Sequence, residues 1–155
     1  MSPGYRPIRD RYLSSLLGIG VNIYLRGPGH MALGYADPDE PVRAVDLSQP
    51  GYQWIYALVL SARSGIVTAR MARSAYVLAH ELGHVNARDH HSEDQANAWA
   101  KAHFGQVLSA LGLERKARRD IVALARRQLL ILPVAAGGGW ANRPRRPGLA
   151  CAQRL

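Results

Sequence analysis

The sequence predicts a single α/β domain of the α+β kind. Three observations carry that reading: short β-type runs in the first third of the chain, good turn chemistry between them, and an apolar pattern of helical period from about Val67 onward. At 155 residues, 48% of them hydrophobic, the chain has the size of one core that buries roughly two thirds of its unfolded surface. No apolar stretch follows the basic residues between Met1 and Asp10, so no export signal is read there. The longest strongly apolar run, Ile55 to Leu60, falls far short of the roughly 20 residues a membrane helix needs. The expected location is therefore cytoplasmic, without membrane attachment.

The elements follow in order. Ile8, Tyr12, Leu13 and Leu16 sit at helical spacing and predict a short amphipathic helix over Pro7 to Leu17. Val21 to Arg26, Met31 to Tyr35 and Val42 to Leu47 read as strands. They are separated by Gly27-Pro28-Gly29 and by Asp37-Pro38-Asp39-Glu40-Pro41, and a small antiparallel sheet is the natural assembly. Val42 to Leu47 is the expected edge, where an extended peptide can add to the sheet. Gln53 to Arg63 is apolar enough for a buried helix or strand, with Gly65 as its breaker. Next, Met71, Ala75, Leu78, Leu82 and Val85 form one core-facing stripe, which places His80 and His84 on the opposite face. A second helix starts near Ser92, with Gln95 completing a capping box, and a third runs from about Leu113 to Leu132. Residues 1–132 are thus the predicted domain. Residues 133–155 begin with a glycine-rich run and continue through Arg143-Pro144-Arg145-Arg146-Pro147, the composition of a flexible basic tail.

The net charge of +9 is unevenly placed: residues 115–155 hold ten basic groups and one acid, Asp120, so the whole excess lies there. Arg115, Arg118, Arg119, Arg126 and Arg127 cluster on one side of the third helix. A solvated face is the simpler reading of that cluster, and a weak nucleic-acid contact through this Arg-rich C-terminal segment is the alternative. The only cysteine is Cys151, which excludes an internal disulfide and a thiolate metal cage. A metal ion would have to be held by histidine and carboxylate.

Such residues stand together in His80-Glu81-Leu82-Gly83-His84. Residues four apart on a helix lie one turn above each other, so His80 and His84 can aim two imidazole nitrogens at one ion. Glu81 lies about 100° round the helix from His80, within reach of a water that Zn2+ acidifies toward a pKa of about 7. Its carboxylate can take the proton of that water as general base and pass it to a leaving amine, which is the machinery of peptide hydrolysis. For a third ligand His90, His91 and Glu93 all lie close downstream. His90 would give the spacing of metzincin peptidases, but Ala87 stands where those enzymes have a glycine, and no methionine follows Met71. Tyr76, one turn before His80, reads as a packed aromatic, His103 as a structural histidine, and His30 stays unassigned.

Ala79 to His84, followed by Glu93-Asp94-Gln95-Ala96-Asn97-Ala98-Trp99-Ala100, resembles the ImmA/IrrE family of metallo-endopeptidases, gluzincin-like zinc enzymes. There an Ala-His-Glu-x-x-His helix precedes a helix beginning Glu-x-x-Ala-Asn-x-aromatic-Ala. The resemblance implies Glu93 as third zinc ligand beside His80 and His84. It also implies a site-specific cytoplasmic protease of phages or mobile elements that cuts a DNA-binding repressor or antitoxin. The reading from another class is a non-proteolytic module that binds a repressor or DNA on the same fold.

Overall fold

The computed structural model describes residues 8–17, 21–25, 32–36, 43–61, 64–131 and 151–154. In chain order these form β1 (Ile8–Asp10), α1 (Arg11–Leu17), β2 (Asn22–Leu25), β3 (Ala32–Ala36), β4 (Ala44–Leu47), α2 (Gln49–Ser61), α3 (Ala69–Asn86), α4 (Glu93–Ala110), α5 (Arg115–Ile131) and β5 (Cys151–Arg154). Helices predominate and the strands build one small sheet, so the class is α+β, as the sequence predicts.

The helix expected from Pro7 begins later. Ile8–Asp10 extends as β1, antiparallel to β2, and α1 starts at Arg11 because the Asp10 carboxylate accepts the Leu13 N–H at 2.7 Å, capping the first turn. The Tyr56 hydroxyl donates to the same carboxylate at 2.7 Å and Tyr52 also bonds to it, which ties α1 to α2.

The sheet runs β1-β2-β4-β3-β5 and corrects the expected assembly twice. It is mixed rather than antiparallel, since β2 and β4 pair in parallel, Ile23 opposite Val45 and Leu25 opposite Leu47. And β4, expected as the edge, lies inside the sheet between β2 and β3. The physical reason lies in its side chains: Val45 and Leu47 are fully buried, and a strand so placed has to satisfy its backbone on both sides. Of residues 133–155, read as a tail, Cys151–Arg154 belong to the described residues and pair with β3 as β5.

Helix α3 is the centre of the domain, packed against α2, α4, α5, β3 and β4. Thr68 caps its start, the hydroxyl accepting the Met71 N–H at 3.3 Å, and the Ala87 N–H closes its end on the Gly83 carbonyl at 2.7 Å. The stripe expected of a two-faced helix understates its burial. Leu78 and Leu82 sit in the core, and so, on the other side, do His80, Glu81 and His84. From Ser74 to Val85 the helix is covered on every side, and polar side chains reach solvent only nearer its ends, at Arg70, Arg73 and Asn86.

Helix α4 starts at Ser92, whose hydroxyl accepts the Gln95 N–H at 3.2 Å. The capping box does not close, because the Gln95 side-chain carbonyl takes the Asp89 N–H at 3.0 Å and so braces the turn between α3 and α4. Between α4 and α5 the chain reverses at Gly112, whose φ of 80° suits a residue without a Cβ. Leu108, Leu111 and Ile121 close the core there. Among the described residues no helix is long and apolar enough to cross a membrane.

Candidate metal centre

The joint between α3 and α4 depends on a glycine. A Cβ on Gly83 would lie 2.5 Å from the Ala96 carbonyl oxygen and 2.9 Å from its Cα, so the two backbones touch at this point. That approach carries the first turn of α4, with Glu93, over the two histidines of α3.

Three ligand atoms converge there. His80 Nε2 lies 3.1 Å from His84 Nε2. Glu93 Oε2 lies 3.1 Å from His80 Nε2, and Glu93 Oε1 lies 3.6 Å from His84 Nε2. Four tetrahedral ligands at zinc bond lengths of about 2.0–2.1 Å stand roughly 3.3 Å apart, so the spacing of these atoms suits an ion of that size.

Hydrogen bonding settles which way the imidazoles point. His80 Nδ1 is 2.9 Å from the Asn97 side-chain oxygen, and His84 Nδ1 is 2.8 Å from the His90 carbonyl oxygen. Both partners are acceptors, so each Nδ1 carries the proton and each Nε2 turns a lone pair toward the other and toward Glu93. Burial is the main cause that lowers the pKa of His84, and nearby His80 works in the same direction. The His90 carbonyl and the charge of Glu93 oppose the shift. A neutral imidazole is the form that ligates metal. Two lone pairs and a carboxylate face one point, and a cation there would satisfy all three together. The group can therefore hold a metal ion.

Glu81 is wholly buried beside this group. Burial raises its pKa well above the ordinary carboxylate value, and the charge of Glu93 adds to the rise. The Ala36 backbone amide opposes the shift, without forming a hydrogen bond of ordinary geometry to either carboxylate oxygen. Strand β3 presses on this residue from outside: a Cβ on Gly34 would stand 2.9 Å from Glu81 Cγ and 2.9 Å from Val77 Cγ1. The two histidines are closed to solvent, whereas the Glu93 side chain is 48% exposed, so the group opens on the side of α4's first turn.

His80, His84 and Glu93 are thus brought together, with Glu81 alongside. His90 is directed elsewhere, its Nδ1 donating to the His84 carbonyl at 2.7 Å, and it lies exposed in the turn with His91. Tyr76 packs edge-on against Phe104 in the core. His103 stacks on Trp99 and donates to its carbonyl at 2.8 Å, a structural role. His30 lies outside the described residues. Asn97 was not singled out from the sequence, although it stands four residues after Glu93 and so on the same face of α4. Its position was the signal that could have found it. No protein-family model matches the chain, and no curated protein or solved structure matches it either. The fold and the site define an α+β domain in which two buried histidines and a solvent-facing glutamate form a group able to hold a metal ion.

Proposed function

We propose that the protein is a cytoplasmic zinc-dependent endopeptidase, resembling the ImmA/IrrE family, with His80, His84 and Glu93 as ligands and Glu81 as general base. The observation that carries this reading is the convergence of three acceptor atoms beside a second, buried carboxylate. A structural ion alone would leave Glu81 without purpose, since burying an unpartnered carboxylate is costly. Zinc bound there would supply Lewis-acid activation of a water and of the scissile carbonyl.

The chain's own residues would do the rest. Asn97 and the His90 carbonyl hold both imidazoles in the ligating tautomer. Glu81 takes a proton from the attacking water and delivers it to the leaving amine as the C–N bond breaks. The strand that passes this carboxylate is β3, not β4, and the substrate would lie extended along β3. The outer side of β3 pairs with β5, and the pairing changes register between Ala32 and Tyr35, beside Gly34. A substrate strand would take the hydrogen bonds that β5 now makes. For the substrate itself, a DNA-binding repressor or antitoxin is supported by the resemblance of Ala79–His84 and Glu93–Ala100.

A peptide library incubated with zinc-loaded protein and read by mass spectrometry tests the activity. Cleavage should be reproducible in the wild type and should fall by about 10²–10⁴ in Glu81→Gln, with zinc content unchanged. Equal cleavage by Glu81→Gln, or none by fully loaded wild type, would remove the peptidase reading.

A further inference from the structure

A second feature of α4 has no part in the metal centre. The later turns of α4 and the first turns of α5 flank an open cleft of about 620 Å³. Arg115, Arg118, Arg119 and Arg126 line the α5 side, and Gln106 and Ser109 line the α4 side. None of the four arginines forms an ion pair with a described residue, and no acidic residue lines the cleft. Asp120, the one acid within α5, points to Lys116 at 3.2 Å. The first turn of α5 holds Arg115, Lys116 and Arg118 without an acid; a carboxylate stands just before it, on Glu114, whose carbonyl accepts the Arg118 N–H, but Glu114 does not line the cleft. Positive charge is thus concentrated where the helix itself adds to it.

We propose that this cleft is a binding site for the phosphate backbone of duplex DNA, independent of the metal centre. Guanidinium forks match phosphate oxygens in pairs, and neutral donors such as Gln106 and Ser109 add contacts of the kind that position a backbone. No aromatic side chain lines the cleft, so it offers no stacking platform for the bases of a single strand. The contact is therefore to backbone, independent of sequence. Gly105 is an exposed residue of the cleft's lining, and a Cβ there would meet nothing within 4 Å. Duplex backbone can approach α4 closely at this position.

Fluorescence anisotropy with a labelled mixed-sequence DNA duplex and the full, zinc-loaded chain tests the site. If the four arginines each engage a phosphate, the logarithm of the binding constant falls with the logarithm of salt at a slope of about −3.6, roughly a hundredfold loss from 50 to 200 mM. Arg118→Glu combined with Arg126→Glu should weaken binding tenfold or more and reduce the slope by about 2, leaving zinc content unchanged. Gly105→Leu fills the cleft without altering charge and favours helix. It should weaken binding as well, which a purely diffuse charge effect would not produce. The proposal is overturned if both cleft variants bind as the wild type does while Arg143, Arg145 and Arg146 changed together to Ser abolish binding. It is equally overturned if polyglutamate or duplex RNA binds tenfold more tightly than the DNA at the same salt.

Discussion

Helix α4 makes two joints of opposite character. At its first turns Glu93 and Asn97 meet the histidines of α3 where backbones touch, and at its later turns Gln106 and Ser109 face the arginines of α5 across an open cleft. Two glycines mark the difference. Gly83 admits no Cβ because the Ala96 backbone fills the space, whereas Gly105 has nothing beside it. Close contact expels water, and polar groups trapped there need partners of their own. Across the cleft, long cations remain hydrated and need none. The same helix thus carries a site that depends on burial and a surface that depends on exposure.

Substitutions at these positions separate the two joints. Asn97→Ala frees the His80 ring from its anchor without touching a ligand atom. Metal affinity should fall by about 10–100-fold, measured by competition with a chelator, with little change in thermal stability. Wild-type affinity in that variant would mean the Asn97 bond does not orient His80. Gly83→Ala should cost about 1–3 kcal/mol in denaturant unfolding, because the added methyl drives α4 away from α3, and the same shift should weaken metal binding by moving Glu93. If stability and metal affinity both stay unchanged, the close approach at Ala96 is not what sets the site. Gly105→Ala is the smallest change and has the opposite sign: it should stabilise the chain by about 0.5–1 kcal/mol through helix propensity alone, with metal binding untouched. Destabilisation would show that the cleft is more tightly packed than its geometry indicates.

The sequence was most legible where a local pattern decides the structure. His80, Glu81 and His84 could be placed from helical spacing, and Ser92 announced the start of α4, since both depend on residues within one turn of each other. Glu93 came from resemblance rather than spacing, because a loop of unknown path separates it from α3. What brings it to the histidines is the contact at Gly83 and Ala96, which no periodicity reveals. The sheet was least legible. Val42 to Leu47 was expected as the edge, yet β4 is interior, because pairing order depends on contacts distant in sequence. His80 and His84 do lie opposite the stripe of Leu78 and Leu82, but spacing alone could not show that their own face is covered as well. The strands and helices that cover that face lie elsewhere in the chain.

The central claim, that His80, His84 and Glu93 hold one metal ion, is tested most directly by zinc content. Purified full-length protein, equilibrated with zinc and freed of excess, should retain one equivalent by elemental analysis. His80→Ala and Glu93→Ala, each verified as folded by circular dichroism, should each lose it. A wild-type chain that retains no zinc, or variants that retain as much as the wild type, would contradict the account.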